Sequence, residues 1–130
     1  MTELIRHKTY GTTLADWIAS VPGELSIDAV GLWQIVPAGR DGFGLNGDAL
    51  VDYVRQNIHA LLEAGAVPVM GSKGEHEWIA QHRYGVTNAE IADAIIMQWL
   101  SVPDDPLVLI SECPWFARPD ADHPLYIKMD

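Results

Sequence analysis

Apolar residues recur at helical spacing in two long stretches of the chain. In the first stretch they fall at i, i+4, i+8 and i+11, at Leu50, Val54, Ile58 and Leu61. Side chains at this spacing share one face of a helix, which can pack on a core. Asn46 is placed to cap the start of the helix, and Gly65 follows its end, where glycine is common. We therefore predict a helix over residues 48–64.

The second stretch has a clear start signal. Thr87 and Glu90 form a T-x-x-E capping box, and Val86 and Ile91 occupy the positions of a hydrophobic staple. A wide apolar face follows, made of Ile91, Ala92, Ile95, Ile96, Trp99 and Leu100. These signals predict a helix that starts after Thr87 and ends before Pro103.

Two shorter segments near the N-terminus also predict helices. Thr13 can cap a helix over 13–20, which Pro22-Gly23 would stop. The apolar run at 29–36 fits either a helical face or a buried strand, because short apolar runs do not discriminate between them. A cap at Ser26 and an acid at Asp28 favour a helix.

Extended segments are predicted in the second half of the chain. Residues 66–70 and 75–83 flank a short tip that contains two glycines, which indicates a β-hairpin over about 66–83. Pro68 has no N–H to donate, so we expect its strand to lie at a sheet edge or to begin there. The apolar run 107–111 predicts a buried strand, and residues 125–129 predict a last one.

This order of elements predicts an α+β fold with about four helices, a β-hairpin and short C-terminal strands. A length of 130 residues suits one domain spanning 1–130, and 48% hydrophobic residues can form a core. Two helices followed by a hairpin over 27–84 also suggest a winged helix as an alternative. That region offers few basic residues for phosphates, so we do not expect nucleic-acid binding.

Acidity is the most pronounced property of the composition. Eighteen Asp and Glu face eight Lys and Arg, which gives a formal charge of −10. The C-terminal third is richest in acids, with eight acids and two bases over 86–130. Such a field repels nucleic acid and anionic membranes and attracts basic partners. We therefore expect a basic protein partner, and neither a nucleic acid nor a membrane.

The N-terminus and the cysteine content bear on location. The first eight residues, MTELIRHK, include no apolar signal segment, and no apolar run approaches the ~20 residues of a membrane span. The single cysteine, Cys113, cannot form an intramolecular disulfide. These features lead us to expect a cytoplasmic protein.

One glycine-rich loop matches a nucleotide-binding pattern. Residues 42–47 read GFGLNG, a G-x-G-x-x-G string that opens the helix over 48–64. In a dinucleotide site such glycines allow the backbone to approach a pyrophosphate. No predicted strand ends at Gly42, and the next strand brings no acid for a ribose. A ligand-binding protein or enzyme that uses this loop, with Arg40 as an anion anchor, is therefore the alternative function.

The remaining reactive side chains lack the partners that chemistry requires. His76 and His82 are not at the i, i+4 spacing of a helical zinc motif. Cys113 follows Glu112, whose charge should raise the pKa of the thiol. We accordingly expect no metal, no cofactor and no catalytic residues, and a non-enzymatic role is favoured.

Acids and aromatic residues alternate in the C-terminal third. Aromatic side chains are common anchors of interfaces, and surrounding acids would steer a basic partner towards them. The candidate partner-binding residues are Asp104, Asp105, Glu112, Trp115, Phe116, Asp120 and Asp122. A homo-oligomer built on the Pro68 edge or a tryptophan-rich surface is a further alternative.

In size, acidity and lack of catalytic motifs, the chain resembles small bacterial immunity and antitoxin-type inhibitors. These proteins block basic toxins, which are often nucleases. The resemblance is one of composition, and it implies a role as an inhibitor of a basic protein.

Overall fold

The computed structural model describes residues 5–71, 77–119 and 126–128. In it, helices pack against one face of a small sheet. The α-helices are α1 (Leu14–Ser20), α2 (Leu32–Pro37), α3 (Gly47–Glu63), α4 (Asn88–Ser101) and α5 (Pro106–Glu112). The strands are β1 (Val30–Gly31), β2 (Val67–Gly71), β3 (Glu77–Ala80), β4 (Trp115–Ala117) and β5 (Tyr126–Lys128). A 3₁₀ helix (Val21–Ser26) follows α1, and a π-helical segment (Ala38–Gly42) follows α2. The predicted α+β class is confirmed.

The three helices with clear sequence signals form where they are predicted. The Thr13 side chain caps α1 by accepting a hydrogen bond from the Asp16 N–H. The reciprocal capping box of Thr87 and Glu90 starts α4. Val86 is 91% exposed, so the predicted staple does not close over it. The longest helix, α3, begins after Asn46, although the Asn46 side chain makes no capping hydrogen bond.

The apolar face of α3 lies at the centre of the main hydrophobic core. Val54, Ile58 and Leu61 on this face are completely buried. They belong to a cluster that also includes residues of α2, α4, α5 and β4. The stripe predicted from the sequence therefore positions the other helices around α3.

The five strands are ordered β1-β4-β2-β3-β5. β1, β4, β2 and β3 pair antiparallel, whereas β5 runs parallel to β3. The predicted hairpin is confirmed as β2 and β3, which pair through Val69 and Ala80. It forms part of the continuous sheet and is not a separate wing.

Of the two positions expected for Pro68, a sheet edge is wrong, whereas a position near the start of its strand is found. β2 is the central strand, and Pro68 is its second residue, paired with Phe116 of β4. The Pro68 carbonyl accepts a hydrogen bond from the Gln81 N–H at 2.8 Å. The N–H and C=O of a strand residue face the same neighbouring strand, which for Pro68 is β3. The N–H that proline lacks would therefore have pointed at Gln81, one residue beyond the end of β3. A homo-oligomer built on a Pro68 edge loses its basis.

Two predictions from short apolar runs also need correction. Residues 29–36 do not form one helix, because Val30 and Gly31 pair with β4 before α2 begins. Residues 107–111 form helix α5, not a strand. The Asp105 carboxylate accepts a hydrogen bond from the Leu107 N–H at 2.8 Å, and Pro106 supplies a favourable first helical residue.

The sheet separates two apolar clusters. Val30 and Phe116 face the helices and belong to the main core. The opposite face carries a smaller cluster of Ala29, Val69 and Ala117, with Val67, Trp78 and Trp115 packed against it. Neighbouring residues of a strand point to opposite faces, so Trp115 and Phe116 are directed to different sides of the molecule.

Candidate functional site

The candidate partner-binding residues that lie in the described part of the chain have different environments. Asp104 and Asp105 are exposed in the turn between α4 and α5, and Glu112 is exposed at the other end of α5. With a rise of about 1.5 Å per residue, the two ends of α5 are separated by roughly 10 Å. Asp120 and Asp122 lie outside the described residues.

Phe116 must be removed from the set of docking residues. It is completely buried in the main core and pairs with both Val30 and Pro68. A partner could not reach its ring without opening the sheet. Its role is structural, since it joins the middle of the sheet to the helices.

Trp115 is partly buried among other tryptophans. Its ring centroid lies 5.9 Å from that of Trp33 and 5.2 Å from that of Trp78. Its indole N–H donates to the Ile110 carbonyl at 3.0 Å, which ties β4 to α5. Trp115 thus supports the packing of α5 and does not project from the surface as a free anchor.

Three strongly exposed apolar side chains on α4 and α5 were not predicted as docking residues. Met97 and Leu100 on α4 are 72% and 60% exposed, and Leu107 at the start of α5 is 74% exposed. The sequence pattern assigned Leu100 to the buried face of its helix, but Trp99 takes the inward position. Met97 and Leu100 are three residues apart and share one face of α4, and exposed apolar patches of this kind are typical of interaction surfaces.

Carboxylates border these apolar residues. Asp93 lies one turn before Met97 on α4, and Asp104 and Asp105 separate Leu100 from Leu107 along the chain. We use the name α4–α5 surface for Asp93, Met97, Leu100, Asp104, Asp105 and Leu107. This surface retains Asp104 and Asp105 from the predicted set.

Two arginines contact the border of the α4–α5 surface. Arg40 pairs with Asp104 at 3.1 Å, and Arg55 of α3 pairs with Asp93. All four side chains are partly or largely exposed, so each pair contributes little to stability. Basic side chains of a partner could therefore compete for both carboxylates at small cost.

A shallow groove extends the α4–α5 surface towards the start of α3. The groove is lined by Asp48 and Arg40 as well as by Leu100 and Asp104. The groove has apolar sides formed partly by Val51 and Val102. Asp48 thus adds a carboxylate from a different element to the border of the surface.

The glycine-rich loop does not have the geometry of a dinucleotide site. A π-helical segment precedes it where such a site needs a strand. A Cβ on Gly42 would lie 2.5 Å from the His7 Nε2, so the His7 ring already occupies the open side of this glycine. The Gly42 carbonyl also accepts a hydrogen bond from the Lys8 N–H at 2.8 Å.

Cys113 is completely buried beside α5. Burial, and secondarily the charge of Glu112, raises the pKa of its thiol to about 11. The sequence-based expectation of a raised pKa is confirmed, although burial is the larger cause. A thiol with this pKa stays protonated near neutral pH and is a poor nucleophile.

Across residues 5–71, 77–119 and 126–128, no group of three or more His, Cys, Asp or Glu side chains is arranged to hold a metal ion. The helices in the same ranges are all too short or too polar to cross a membrane.

Comparison with known proteins does not assign the chain to a family. No family model matches the chain, and neither the curated proteins nor the solved structures give a significant match.

Proposed function

We propose that this protein is a non-enzymatic interaction protein that binds a basic protein partner through the α4–α5 surface. The observation that supports this proposal most directly is the exposure of Met97, Leu100 and Leu107 next to carboxylates. The apolar side chains would contribute most of the affinity, and the carboxylates would select and orient a basic partner.

The charge of the whole chain supports a basic partner. A net charge of −10 accelerates encounter with a positively charged protein and makes association sensitive to salt. Arg40 and Arg55 already pair with Asp104 and Asp93, and both pairs are exposed and weak. A partner's lysines or arginines would join or replace these exposed pairs.

Within this role, we propose inhibition of a basic toxin, in a cytoplasmic setting, as the more specific function. Support comes from the compositional resemblance to bacterial immunity and antitoxin-type inhibitors. A toxin domain encoded by the neighbouring gene would provide the first partner to test. Protection of cells that express that toxin would then be the direct readout.

The first experiment is affinity capture from the source organism with matched variants. Met97→Ser/Leu100→Ser removes exposed apolar surface, and Val86→Ser makes a similar change at a site outside the surface. The proposal predicts capture of a basic protein by wild type and by Val86→Ser, and loss of that protein with the double variant. Equal capture by all three forms would contradict the proposed surface.

Charge is tested separately. Asp104→Asn/Asp105→Asn removes two border carboxylates while an asparagine still caps α5. Asp16→Asn removes one exposed carboxylate from α1 and serves as the control. We expect the association rate, and its dependence on salt, to fall with the first variant only. Binding that is indifferent to ionic strength would refute the electrostatic part of the proposal.

A further inference from the structure

The groove that extends the α4–α5 surface has apolar walls suited to a long side chain. Its volume is about 420 Å³, within the range of sites for small ligands, roughly 300–1,000 Å³. Leu50 and Trp99 are buried residues of its lining, and Val51 and Val102 are partly buried ones. A lining of this kind can cover the methylene stem of a long basic side chain while the charged end stays at the polar part of the groove.

The charged lining of the groove is not balanced. Asp48 comes from the first turn of α3, Asp104 from the turn before α5, and Arg40 from the π-helical segment. Two carboxylates therefore accompany one guanidinium, and the groove stays negative after its internal pair has formed. The net charge of −10 on the whole chain adds to this field and favours a second cation.

Asp48 is the carboxylate that the protein leaves unpaired. Arg40 donates to Asp104 at 3.1 Å. Within the part of the chain that the structure describes, the Asp48 side chain makes no hydrogen bond and no ion pair. The dipole of α3 favours a negative charge at this position, but it leaves the carboxylate oxygens free to accept from a ligand.

The internal pair shows which cation the groove can hold. The group at Asp104 is a guanidinium, and the Arg40 and Asp104 side chains are 39% and 66% exposed. Exchange of Arg40 for a guanidinium from outside would therefore cost little. A guanidinium has five N–H donors and is more weakly hydrated than an ammonium, so it suits a groove with two carboxylates and apolar walls better than a lysine does.

We propose that this groove accepts one arginine side chain of the basic partner, and that Arg40 occupies the same place in the free protein. This inference rests on the proposed function and names the chemical group that the acidic border recognises. The partner's guanidinium takes over Asp104 from Arg40 and pairs with Asp48 as well. Arg40 is thus an internal competitor, and its removal should tighten binding.

Three capped amino acids test the groove without the partner. They are the N-acetyl amides of arginine, of lysine and of citrulline, which keeps the shape of arginine without its charge. Each is titrated at low ionic strength while the indole N–H resonance of Trp99, in the wall of the groove, is followed by NMR. We expect saturable shifts with arginine, weaker binding of lysine and the weakest binding of citrulline. Equal binding of arginine and citrulline would overturn recognition by charge, and equal binding of arginine and lysine would overturn the choice of a guanidinium.

Arg40→Gln removes the internal competitor and should tighten binding of the arginine probe about threefold, the effect of one exposed ion pair. Lys8→Gln makes the same charge change at an exposed residue outside the groove and should have little effect. Unchanged or weaker binding of arginine by Arg40→Gln would refute the competition.

Asp48→Asn should weaken binding of the arginine probe about threefold for the same reason. Glu63→Gln, at the other end of α3 and roughly 22 Å away, is its control and should bind as wild type does. Binding that is unaffected by Asp48→Asn would remove this carboxylate from the site. The comparison of arginine with citrulline on the wild-type protein needs no variant, so it decides even if a variant folds poorly.

The captured partner separates this inference from the proposed function. Its affinity should rise with Arg40→Gln and fall with Asp48→Asn. A partner that is lost with Met97→Ser/Leu100→Ser but is indifferent to both charge changes would refute the arginine site and leave the proposed surface intact. Selective binding of the arginine probe with no partner captured would support the groove and count against the proposed function.

Discussion

Removing the Tyr53 hydroxyl should not destabilise this protein. The hydroxyl is buried and makes no hydrogen bond within the protein, and leaving such a group unpaired costs about 1–3 kcal/mol. Phenylalanine keeps the ring, which packs against Gly39 and Phe43. Because Asn57 and Trp17 offset part of the cost, we expect Tyr53→Phe to raise the free energy of unfolding by about 1 kcal/mol at pH 7.

The same substitution should change the response to alkaline pH. The pKa of Tyr53 is raised from about 10 to about 12 in the folded protein, so the unfolded chain loses this proton first. The free energy of unfolding therefore falls as pH rises above 10, by up to about 1.4 kcal/mol per pH unit. Tyr53→Phe lacks this contribution, so its stability advantage should grow between pH 9.5 and pH 11.

Urea denaturation of both proteins at several pH values measures these effects. Other groups with raised pKa values, such as Cys113, titrate in the same range but cancel in the comparison. Tyr10→Phe, at an exposed tyrosine, is the control and should change little at any pH. If Tyr53→Phe lowered the free energy of unfolding by 1 kcal/mol or more at pH 7, the hydroxyl would have a stabilising partner and the reasoning would fail.

Three further predictions concern separate parts of the fold. A Cβ at Gly31 would lie 2.7 Å from the Trp33 ring and 3.0 Å from the Trp115 ring. Gly31→Ala should therefore lower the free energy of unfolding, measured by urea denaturation, by about 1–3 kcal/mol. Gly23→Ala meets no atom within 4 Å and is its control. The Cys113 thiol is buried and its pKa is raised to about 11, so it should resist a thiol reagent at pH 8 in the folded protein. It should react once urea unfolds the protein. Rapid labelling of the folded form would contradict its burial. Hydrogen bonds from the backbone N–H groups of Thr87 and Val86, and after them from the Thr87 hydroxyl, lower the pKa of Glu90. Thr87→Ala removes only the hydroxyl, so this pKa should rise but stay below its ordinary value in an NMR titration. A complete return to the ordinary value would contradict the backbone half of the capping box.

Long segments with matching periodicity and caps could be predicted from the sequence. α3 and α4 each combine a repeated apolar stripe with start signals, so local and tertiary preferences agree. Short apolar runs could not be predicted, because a buried strand and a short buried helix have the same pattern. For residues 107–111 the deciding signal was outside the run, in Asp105 and Pro106.

The candidate surface was predicted only in part. Acid content pointed to Asp104 and Asp105, which the structure shows to be exposed. Trp115 and Phe116 are neighbours in sequence, and which of them faces the core depends on strand pairing that the sequence does not specify. Leu100 matched the apolar face of α4, but Trp99 beside it fills the inward position.

A cleft between α1, the 3₁₀ helix, α2 and α3, which Tyr53 lines, could not be inferred from local sequence. Its walls come from α1, the 3₁₀ helix, β1, α2 and α3, so it exists only after these elements pack together. Gly39 was a usable hint, because a glycine in a helical segment often marks the close approach of another group. Identifying that group as Tyr53 required the tertiary structure.

The two outer strands of the sheet are very short. β1 has two residues and leads directly into α2, and β5 has three. A long, open outer strand would expose backbone groups on which another chain could extend the sheet, which is a common route to aggregation. Among the described residues, a second copy would find only two or three to pair with on either side. The fold thus protects a protein with exposed leucines from fibril-like stacking, and leaves recognition to side chains.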